Sequence, residues 1–461
     1  MDRDPLGGAG PLAAAMARLE VLIDWERRDR SAGALQSMRV DVGPSRDLCA
    51  RVGAWPPRVG EPAPVVIHVA GSKGKGSVCA LVDAGLRAAG WRTGRYGSPH
   101  VERVAERVVL NGEPVDDSRL AQALERVMDV RDGALAESGG LASKIAASTW
   151  FDVLTAAAFW IFRGVKLDAW VIECGLGGRL DSTNVVDGEV AVVTGIELEH
   201  TAILGDTRAA IAGEKAGILK LGGRVIVGLE PPHLMSSRPD ATPDAPDSAS
   251  VRIAAVAARV GVPVEWRPRT PGDSFDAHNR RIAAAVLDGL GAAGHRASDG
   301  TPLAGTFVLH LPPDAARLPG RWEHMVVAGT PVVLDGAHVA TSLSALLDQL
   351  AADPRLPGAP VVVLGMGKDK DTDALLKCLL GRTDRVLCSS AGAGPYLAPE
   401  LLSAKARALG LETETVFDPR VAVQRALAVA KGRWVLVTGS LHLVGAVRAA
   451  LIEVAQPGSP C

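Results

Sequence analysis

The chain has 461 residues, of which 47% are hydrophobic and 22% are charged, a composition typical of globular proteins rather than of disordered ones. Its 50 lysine and arginine residues nearly balance 52 aspartate and glutamate residues, which gives a formal net charge of -2 at pH 7. This balance argues against a nucleic-acid-binding protein, which needs a surplus of positive charge to contact phosphates. The length exceeds one typical compact core, so we expect two or three domains.

Features of secreted and membrane proteins are not seen in this sequence. Residues Met1–Asp4 lack the basic-then-apolar order of a signal peptide, and no apolar run approaches the roughly 20 residues that cross a bilayer. The six cysteines are scattered, without the paired spacing of a zinc site or a disulfide framework. We therefore expect a cytoplasmic protein with reduced thiols and no membrane association.

The first half of the chain alternates helical patterns with short β-branched runs. A helix is predicted near the start, where Leu12, Met16, Leu19 and Ile23 lie at helical spacing. Short apolar runs separated by helices are typical of a parallel sheet that is covered on both faces. The runs predicted to be buried strands are Val65–Val69, Ala169–Glu173, Val190–Thr194 and Arg224–Val227.

The second half repeats this alternation after two stretches without a core pattern. Residues Pro231–Ser250 are rich in Pro, Asp and Ser and predict a loop or insertion, and the Pro-rich residues Leu311–Gly320 predict a linker. We therefore expect two α/β domains, residues 1–314 and 315–461, with the active site in the cleft between them. The strands predicted in the second domain are Val332–Leu334, Val361–Leu364, Arg385–Cys388 and Trp434–Val437.

A glycine-rich loop, Gly71–Ser77 (GSKGKGS), lies between a predicted strand and a predicted helix. Glycines such as Gly74 and Gly76 let backbone N–H groups converge on phosphate oxygens at the positive end of a helix. Lys75 would neutralise phosphate charge, and the Ser77 hydroxyl could reach a metal-bound phosphate. The alternative is a glycine-rich turn with an incidental lysine, but the flanking strand and helix favour a phosphate-binding loop.

The order of residues in this loop, with a glycine between Lys75 and Ser77, resembles the folylpolyglutamate synthase/dihydrofolate synthase family of the Mur ligase superfamily. The resemblance extends in order over roughly residues 12–450. It implies an α/β fold, with a P-loop-containing, Mur-ligase-like N-terminal domain built on a parallel sheet and a smaller, Rossmann-like C-terminal domain. Further segments that carry it are Ser98–His100, Thr149–Phe159, Glu173–Asn184, Glu199–Asp206, Glu214–Ile218, Pro319–Arg321 and Asp335–His338.

The resemblance implies two magnesium sites, with Ser77, Ser98 and Glu173 as contributors and His200 as ligand of the second ion. In the family, the lysine that corresponds to Lys215 carries a carbamate made from carbon dioxide, which requires a neutral amine and hence a lowered pKa. A carboxylate at a buried strand end is costly unless it meets a cation, so the alternative for Glu173 is a structural ion pair. The alternative for His200 is a structural histidine.

The resemblance also assigns contacts with ATP and with the pterin. In the C-terminal domain, Arg321 would bind phosphates through its planar fork, Asp335 would accept a hydrogen bond from the ribose, and His338 would approach the γ-phosphate. Lys75, Lys215 and His338 are the expected catalytic residues. The other residues expected at the substrate sites are Gly74, Gly76 and Ser77 for ATP, and Thr149, Leu180, Asp181 and Ser182 for the pterin.

Four positions depart from the family pattern. The family's asparagine after a His-Gln pair corresponds to Ile282 here, which bears on ATP affinity, and the asparagine after Asp-Gly-Ala-His corresponds to Val339. Asp152 stands where the family usually has glutamate, and Glu199 where it usually has aspartate. None of the four changes removes a predicted phosphate or magnesium ligand.

The expected function is the ATP- and magnesium-dependent ligation of L-glutamate to dihydropteroate, to the γ-carboxylate of a folate, or to both, through an acyl phosphate. We expect only small-molecule partners, no nucleic acid, and a monomer. One alternative is a family member that binds nucleotide without ligating, which Ile282 favours. The other is a Mur-type ligase that joins an amino acid to a different carboxylate, against which the segments Ser98–His100 and Glu173–Asn184 argue.

Overall fold

The computed structural model describes residues 10–24, 41–137, 144–232, 248–383, 385–392 and 394–455. These residues form two compact units, divided between Ala316 and Arg317. The short segment Val101–Arg103 belongs to the second unit, although the chain on either side of it belongs to the first. In the described part of the chain, no helix is both long enough and apolar enough to span a membrane.

The first unit contains a sheet of eight described strands. They are β1 Val65–Ala70, β2 Thr93–Tyr96, β3 Val108–Leu110, β4 Glu113–Pro114, β5 Ala169–Glu173, β6 Val190–Val193, β7 Arg224–Val227 and β8 Val264–Trp266. Their order is β4-β3-β2-β5-β1-β6-β7-β8. All pairs from β2 to β8 are parallel, and β3 and β4 add an antiparallel edge. The four strands predicted for this unit are confirmed, with ends that shift by no more than one residue.

Strand β1 lies between β5 and β6, and all six of its residues are buried. Successive side chains of a strand point to opposite faces of the sheet. Accordingly, Val66 packs in the apolar cluster that includes helix Trp150–Gly164, whereas Ile67 packs with helices Lys75–Ala88 and Phe275–Ala292. Burial on both faces explains why the strand is a continuous apolar run rather than an alternating one.

Two predictions about local structure need correction. The opening helix ends at Leu19, so Ile23 is not helical; instead, its carbonyl accepts a hydrogen bond from the Trp150 backbone N–H at 3.0 Å. Helix Ser248–Val260 begins inside the stretch predicted to be a loop, whose residues 233–247 lie outside the described residues. The described α-helices of this unit are Pro11–Leu19, Gly43–Val52, Lys75–Ala88, Asp117–Glu137, Trp150–Gly164, Thr201–Leu204, Arg208–Lys215, Ser248–Val260, Phe275–Ala292 and Thr306–Leu309.

The second unit contains a sheet of six described strands, in the order β13-β12-β11-β14-β10-β9. They are β9 Glu323–Val327, β10 Thr330–Leu334, β11 Val361–Leu364, β12 Arg385–Cys388, β13 Thr413–Thr415 and β14 Val435–Thr438. Only the β9–β10 pair is antiparallel among these strands, and the four strands predicted here are confirmed. The described helices are Ala340–Ala351, Thr372–Lys377, Pro399–Ala408, Pro419–Ala430 and Leu441–Ala455.

Two helical glycines of the first unit give opposite predictions for substitution by alanine. A Cβ at Gly133 would meet no atom within 4 Å, so Gly133→Ala should stabilise the protein by about 0.5–1 kcal/mol through helix propensity alone. A Cβ at Gly291 would lie 1.8 Å from the backbone oxygen of Leu303, so Gly291→Ala should destabilise it by about 1–3 kcal/mol. Urea denaturation measures both changes, and equal effects of the two substitutions would contradict this reading of the packing.

Candidate active site

The parallel strands of the first unit bring their carboxyl ends to one edge of the sheet, where ligands of open α/β sheets bind. The glycine-rich loop follows β1, and Glu173 ends the neighbouring strand β5, opposite Val69 in the register. Ser98 follows β2, and the segment that carries Glu199 and His200 follows β6. The topology therefore gathers the predicted phosphate-binding and metal-binding residues of this unit at one edge.

The loop Gly71–Ser77 leads directly into helix Lys75–Ala88. Gly74 caps the helix in the left-handed conformation, and the residues from Lys73 to Ser77 remain partly exposed. The Lys75 ammonium donates a hydrogen bond to the Gly71 carbonyl at 2.9 Å, which folds the side chain back over the loop. This strand–loop–helix geometry places backbone N–H groups and an ammonium group together, as a phosphate site requires.

Lys215 reaches the same carbonyl from the far side of the site. It ends helix Arg208–Lys215, is 2% exposed, and donates from Nζ to the Gly71 carbonyl and to Glu199 Oε1, at 2.9 Å each. Burial lowers the pKa of Lys215, the charge of Lys75 lowers it further, and the Glu199 carboxylate partly opposes both effects. Two lysine ammonium groups therefore share one backbone acceptor, and one of them is biased toward the neutral amine.

The charge of Glu199 depends on these lysines. Burial alone would raise the pKa of Glu199, but the ammonium groups of Lys215 and Lys75 outweigh burial and lower it. Glu199 is thus held as a carboxylate beside the loop. His200 follows it in the left-handed conformation, with φ of 48°, and caps helix Thr201–Leu204.

The segment after β6 is tied to the glycine-rich loop by several hydrogen bonds. The Ser72 backbone N–H donates to the Gly195 carbonyl at 2.8 Å, and the Glu197 backbone N–H donates to the Ser72 hydroxyl at 3.0 Å. The Thr194 hydroxyl donates to the Lys73 carbonyl at 2.6 Å. Because these bonds cross between the two loops, a ligand that moves one loop also acts on the other.

Glu173 and Ser98 also lie together. The Ser98 backbone N–H donates to Glu173 Oε2 at 3.3 Å, and Glu173 is 6% exposed. Among the described residues, no cluster of three or more His, Cys, Asp and Glu side chains could hold a metal ion. A metal at this edge would therefore also need hydroxyl, water or phosphate oxygens, a donor set that suits magnesium better than zinc.

The predicted pterin residues are brought together, but most of their polar groups already have partners. Thr149 caps helix Trp150–Gly164 and exchanges hydrogen bonds with Asp152, which also accepts one from the Ser182 hydroxyl at 2.6 Å. Burial raises the pKa of Asp152, against these hydrogen bonds. Leu180, two residues before Ser182, is partly exposed on the same loop.

Asp181 shapes this loop from inside. It is 3% exposed and accepts hydrogen bonds from the Leu176 backbone N–H at 2.7 Å, from the Thr183 backbone N–H at 3.0 Å and from the Thr183 hydroxyl. Burial raises the pKa of Asp181, and these donors oppose the rise. A role in holding the loop is therefore visible in the structure, whereas contact with a pterin stays a prediction.

The sequence analysis missed a buried histidine beneath this loop. His68 of β1 is fully buried, and its Nε2 lies 2.9 Å from the hydroxyl oxygen of Thr183. The Thr183 hydroxyl in turn donates a hydrogen bond to Asp181. Burial lowers the pKa of His68 to about 3, so the ring is neutral. A polar residue in the middle of an otherwise apolar strand was the sequence signal that could have identified it.

In the second unit, Asp335 follows β10 and holds the loop that contains Arg321. Its carboxylate accepts hydrogen bonds from the Trp322 backbone N–H at 2.8 Å and from the Ala337 backbone N–H at 2.9 Å. Burial raises the pKa of Asp335, which these hydrogen bonds and the charge of Arg321 oppose. Its predicted bond to a ribose remains a prediction and would use the remaining lone pairs of the carboxylate.

His338 lies at the same edge of the second sheet. Its Nδ1 lies 3.0 Å from the Gly336 carbonyl, which can only accept, so Nδ1 carries the proton and Nε2 has a lone pair in the neutral ring. Burial lowers the pKa of His338, and Lys370 and Arg321 lower it further. Val339, which replaces the family's asparagine, precedes helix Ala340–Ala351 without a side-chain cap.

The Asp181 contacts give a testable prediction. Replacing Asp181 by Asn leaves one of its backbone or hydroxyl donors facing an N–H group, so Asp181→Asn should lower the free energy of unfolding by about 1–3 kcal/mol. The control is Asp187→Asn, at a side chain that is 80% exposed, which should change the free energy by less than about 0.5 kcal/mol. Urea denaturation of both variants measures these free energies of unfolding. An Asp181 variant as stable as its control would refute the proposed role of Asp181 in holding the loop.

Comparisons with known proteins agree with this geometry. Residues 320–441 match the family model of the Mur ligase glutamate ligase domain. Over 458 residues, the chain is 32% identical to dihydrofolate synthase/folylpolyglutamate synthase of Escherichia coli K12, and the match covers 95% of each chain. The fold is similar to that of E. coli FolC in complex with DHPP and ADP, with a TM-score of 0.75, 28% identity and coverage of 96% of this chain and 98% of that chain.

A second solved structure has similar statistics. It is a bifunctional folylpolyglutamate synthase/dihydrofolate synthase with Mn, AMPPNP and L-glutamate bound. The TM-score is 0.74 at 28% identity, and the match covers 96% of this chain and 98% of that chain.

Proposed function

The chain belongs to the dihydrofolate synthase/folylpolyglutamate synthase family, and we propose that it ligates L-glutamate to dihydropteroate, to the γ-carboxylate of tetrahydrofolate, or to both, with ATP as the energy source. The single observation that carries this proposal is the convergence of Lys75 and Lys215 on the Gly71 carbonyl, at the sheet edge that also carries Glu173. In this proposal, residues 1–314 bind ATP and the pterin substrate, and residues 315–461 form the glutamate ligase domain.

The reaction requires activation of a carboxylate, because condensation of a free carboxylate with an amine is uphill in water. The substrate carboxylate attacks the γ-phosphorus of ATP, which gives an acyl phosphate and ADP. The glutamate amine then attacks the acyl carbon and expels phosphate. Backbone N–H groups of Gly74, Gly76 and Ser77 bind phosphate oxygens, and Lys75 stabilises the charge that develops on them.

Magnesium is the metal that the donor set of the first unit fits. Ser77, Ser98, Glu173 and His200 would hold it, in two sites, together with a modified Lys215. Oxygen donors around one or two carboxylates, completed by phosphate and water, are the usual surroundings of magnesium. Bound magnesium supplies charge neutralisation at the phosphate oxygens.

Lys215 is proposed to carry a carbamate. An amine nitrogen attacks carbon dioxide only when neutral, and the lowered pKa of Lys215 increases the neutral fraction at a given pH. The new N–C bond gives an anionic carboxylate and releases one proton. The carbamate places a negative charge beside Lys75 where the Lys215 ammonium group had a positive one. The repulsion between the two side chains therefore becomes an attraction.

In the second unit, Arg321, Asp335 and His338 are proposed to contact the nucleotide. Asp335 fixes the backbone at Trp322, next to Arg321. The planar guanidinium can form two parallel hydrogen bonds to phosphate oxygens. His338 is neutral when no ligand is bound, so a bond from Nε2 to a phosphate oxygen requires that it take up a proton.

A family member that binds nucleotide without ligating is the second candidate, and one observation favours it. Ile282 is fully buried and packs in the apolar cluster of helix Lys75–Ala88, so it offers a nucleotide no polar group. The ligation assay below separates the two candidates, since only an enzyme transfers glutamate.

The first functional prediction concerns glutamate transfer. With ATP, magnesium and labelled L-glutamate, the protein should incorporate label into dihydropteroate, into tetrahydrofolate or into both, offered separately. Lys75→Ala should lower the rate by about 100-fold or more, because the charge on the transferred phosphoryl group loses its ammonium partner. Lys166→Ala, at an exposed lysine of the same unit, is the matched control and should leave the rate unchanged.

The outcomes of this assay separate the candidates. Incorporation that survives in Lys75→Ala would contradict the role of Lys75. No incorporation into either substrate, with nucleotide still bound, would favour the non-ligating family member.

The second functional prediction concerns proton uptake at His338. Because the pKa of His338 is lowered in the free protein and a phosphate oxygen favours the imidazolium, ATP binding should strengthen as the pH falls from neutrality toward that lowered pKa, by up to about tenfold per pH unit. His338→Asn keeps an N–H donor for the Gly336 carbonyl but cannot ionise, so its pH dependence should be shallower. Calorimetric titrations with ATP in buffers of different ionisation enthalpy give the number of protons taken up on binding. Equal numbers for the wild-type protein and His338→Asn would exclude proton uptake by His338.

A further inference from the structure

The turn that carries Arg321 contains two residues in the left-handed conformation. Gly320 has φ of 63° and Trp322 has φ of 50°. This conformation is costly for a residue with a side chain, such as Trp322, so other contacts must hold the turn. Arg321 itself is exposed, so in the free protein its position depends on the backbone on either side of it.

Two carboxylates hold this backbone, one before Arg321 and one after it. The Gly320 backbone N–H donates to Glu323 Oε2, and the Trp322 backbone N–H donates to Asp335 Oδ2, at 2.8 Å each. Because peptide groups are planar, fixing the one on each side of Arg321 fixes the direction of its Cα–Cβ bond. Glu323 therefore holds the turn in the same way as Asp335.

Glu323 is held in turn by Arg448, which lies on helix Leu441–Ala455. Arg448 Nε lies 2.9 Å from Glu323 Oε2 and Nη2 lies 2.8 Å from Oε1, the paired geometry in which a guanidinium binds a carboxylate. Arg448 Nη1 donates to Glu102 Oε2 at 3.0 Å, and Glu102 belongs to the same compact unit. The three side chains are only 16%, 18% and 21% exposed, and a carboxylate in such a place is costly without a cation. Glu323 therefore depends on Arg448 for this position.

Close packing of the same helix places Arg448 beside the turn. A Cβ at Gly320 would lie 2.9 Å from Val444 Cγ1, and a Cβ at Gly445 would lie 2.0 Å from the carbonyl oxygen of Val101. Val444 and Gly445 precede Arg448 by four and three residues, so the three lie on one face of the helix. This face therefore contacts the turn through Val444 and binds Glu323 through Arg448.

We propose that Arg448 and Glu323 are positioning residues for nucleotide binding: their ion pair holds the Gly320 N–H group, and with it the turn from which Arg321 binds phosphate oxygens. The inference rests on the proposed function, since it requires that Arg321 contacts the nucleotide. Neither residue of the pair has to touch the nucleotide. The effect of the pair on nucleotide affinity therefore passes through Arg321.

The test is a double-mutant cycle on ADP binding. Arg321→Ala should raise the Kd for ADP by about tenfold or more, because hydrogen bonds to a charged oxygen are lost. Arg448→Met, which keeps a long apolar side chain on the helix, should raise the Kd by about fivefold or more through misplacement of Arg321. The double variant should bind ADP within about twofold of Arg321→Ala, because Arg448 has no further effect once Arg321 is removed. A Kd that rises by the full product of the two single effects would overturn the proposal.

Arg425→Met is the matched control. Arg425 lies on helix Pro419–Ala430 of the same unit and forms an ion pair with Glu414, but its side chain is 55% exposed. Loss of such an exposed pair should change the Kd for ADP by less than about twofold. Thermal unfolding of every variant shows whether the titrations are made on folded protein. A Kd for folded Arg448→Met within about twofold of the wild-type value would overturn the proposal.

Glu323→Gln keeps the test decisive if Arg448→Met does not fold. Glutamine has nearly the same shape as glutamate, but its NH2 group must face either Arg448 or the Gly320 N–H group, so one of these contacts is lost. The Kd for ADP should rise by about threefold or more, with no added effect in the Arg321→Ala background. An unchanged Kd, or an undiminished effect in that background, would contradict the positioning role.

These titrations are independent of catalysis. If the wild-type protein binds ADP but transfers no glutamate, the proposed ligase activity fails, and the cycle still decides the roles of Arg448 and Glu323. If glutamate is transferred and the effects of Arg448→Met and Arg321→Ala multiply, only the inference about the ion pair fails. If Arg321→Ala binds ADP as the wild-type protein does, the inference fails together with the proposed contact of Arg321, while the transfer assay still decides the ligase activity.

Discussion

The candidate site depends on one backbone carbonyl. The oxygen of Gly71 accepts one hydrogen bond from the Lys75 ammonium group and one from the Lys215 ammonium group. Two positive charges therefore meet at one backbone carbonyl. The position of Gly71 follows from β1, whose fully buried residues fix the start of the loop. The direction of Lys215 follows from helix Arg208–Lys215, and Glu199 holds its ammonium group from the other side. Burial of Lys215 and the charge of Lys75 together bias Lys215 toward the neutral amine.

The sheet explains why residues far apart in sequence share this site. Because β2, β5, β1 and β6 are parallel neighbours, the residues that follow them meet at one edge regardless of the length of chain between them. The second unit repeats this principle with different residues, since Asp335 follows β10 in a largely parallel sheet. In each unit, a carboxylate at the carboxyl ends of the strands accepts hydrogen bonds from backbone N–H groups. Asp181 holds the loop near Ser182 in this way, and Asp335 holds the backbone next to Arg321. Such groups fix the backbone beside the predicted substrate-binding residues.

The sequence predicted what depends on local pattern and on the order of motifs. The strands were predictable because burial on both faces requires a continuous apolar run. The place of Lys75 at the start of a helix was predictable because it follows a strand and a glycine-rich turn. The sequence could not show that Lys215 and Lys75 share an acceptor, because that contact joins residues 140 positions apart through tertiary packing. The link from His68 through Thr183 to Asp181 was missed for the same reason. Ile23 was assigned to the opening helix because periodicity alone does not reveal that its carbonyl bonds to Trp150.

The charges around the loop suggest how the free protein and the nucleotide complex differ in stability. Lys73, Lys75 and Lys215 lie close to two carboxylates, Glu197 and Glu199. Burial lowers the pKa of Lys73 as it does that of Lys215, which means that each ammonium group is less stable here than in water. A polyphosphate would bring negative charge close to these ammonium groups and stabilise them. Its binding therefore relieves an unfavourable arrangement that the fold maintains, and part of the folding stability that the free protein gives up at this loop returns as nucleotide affinity.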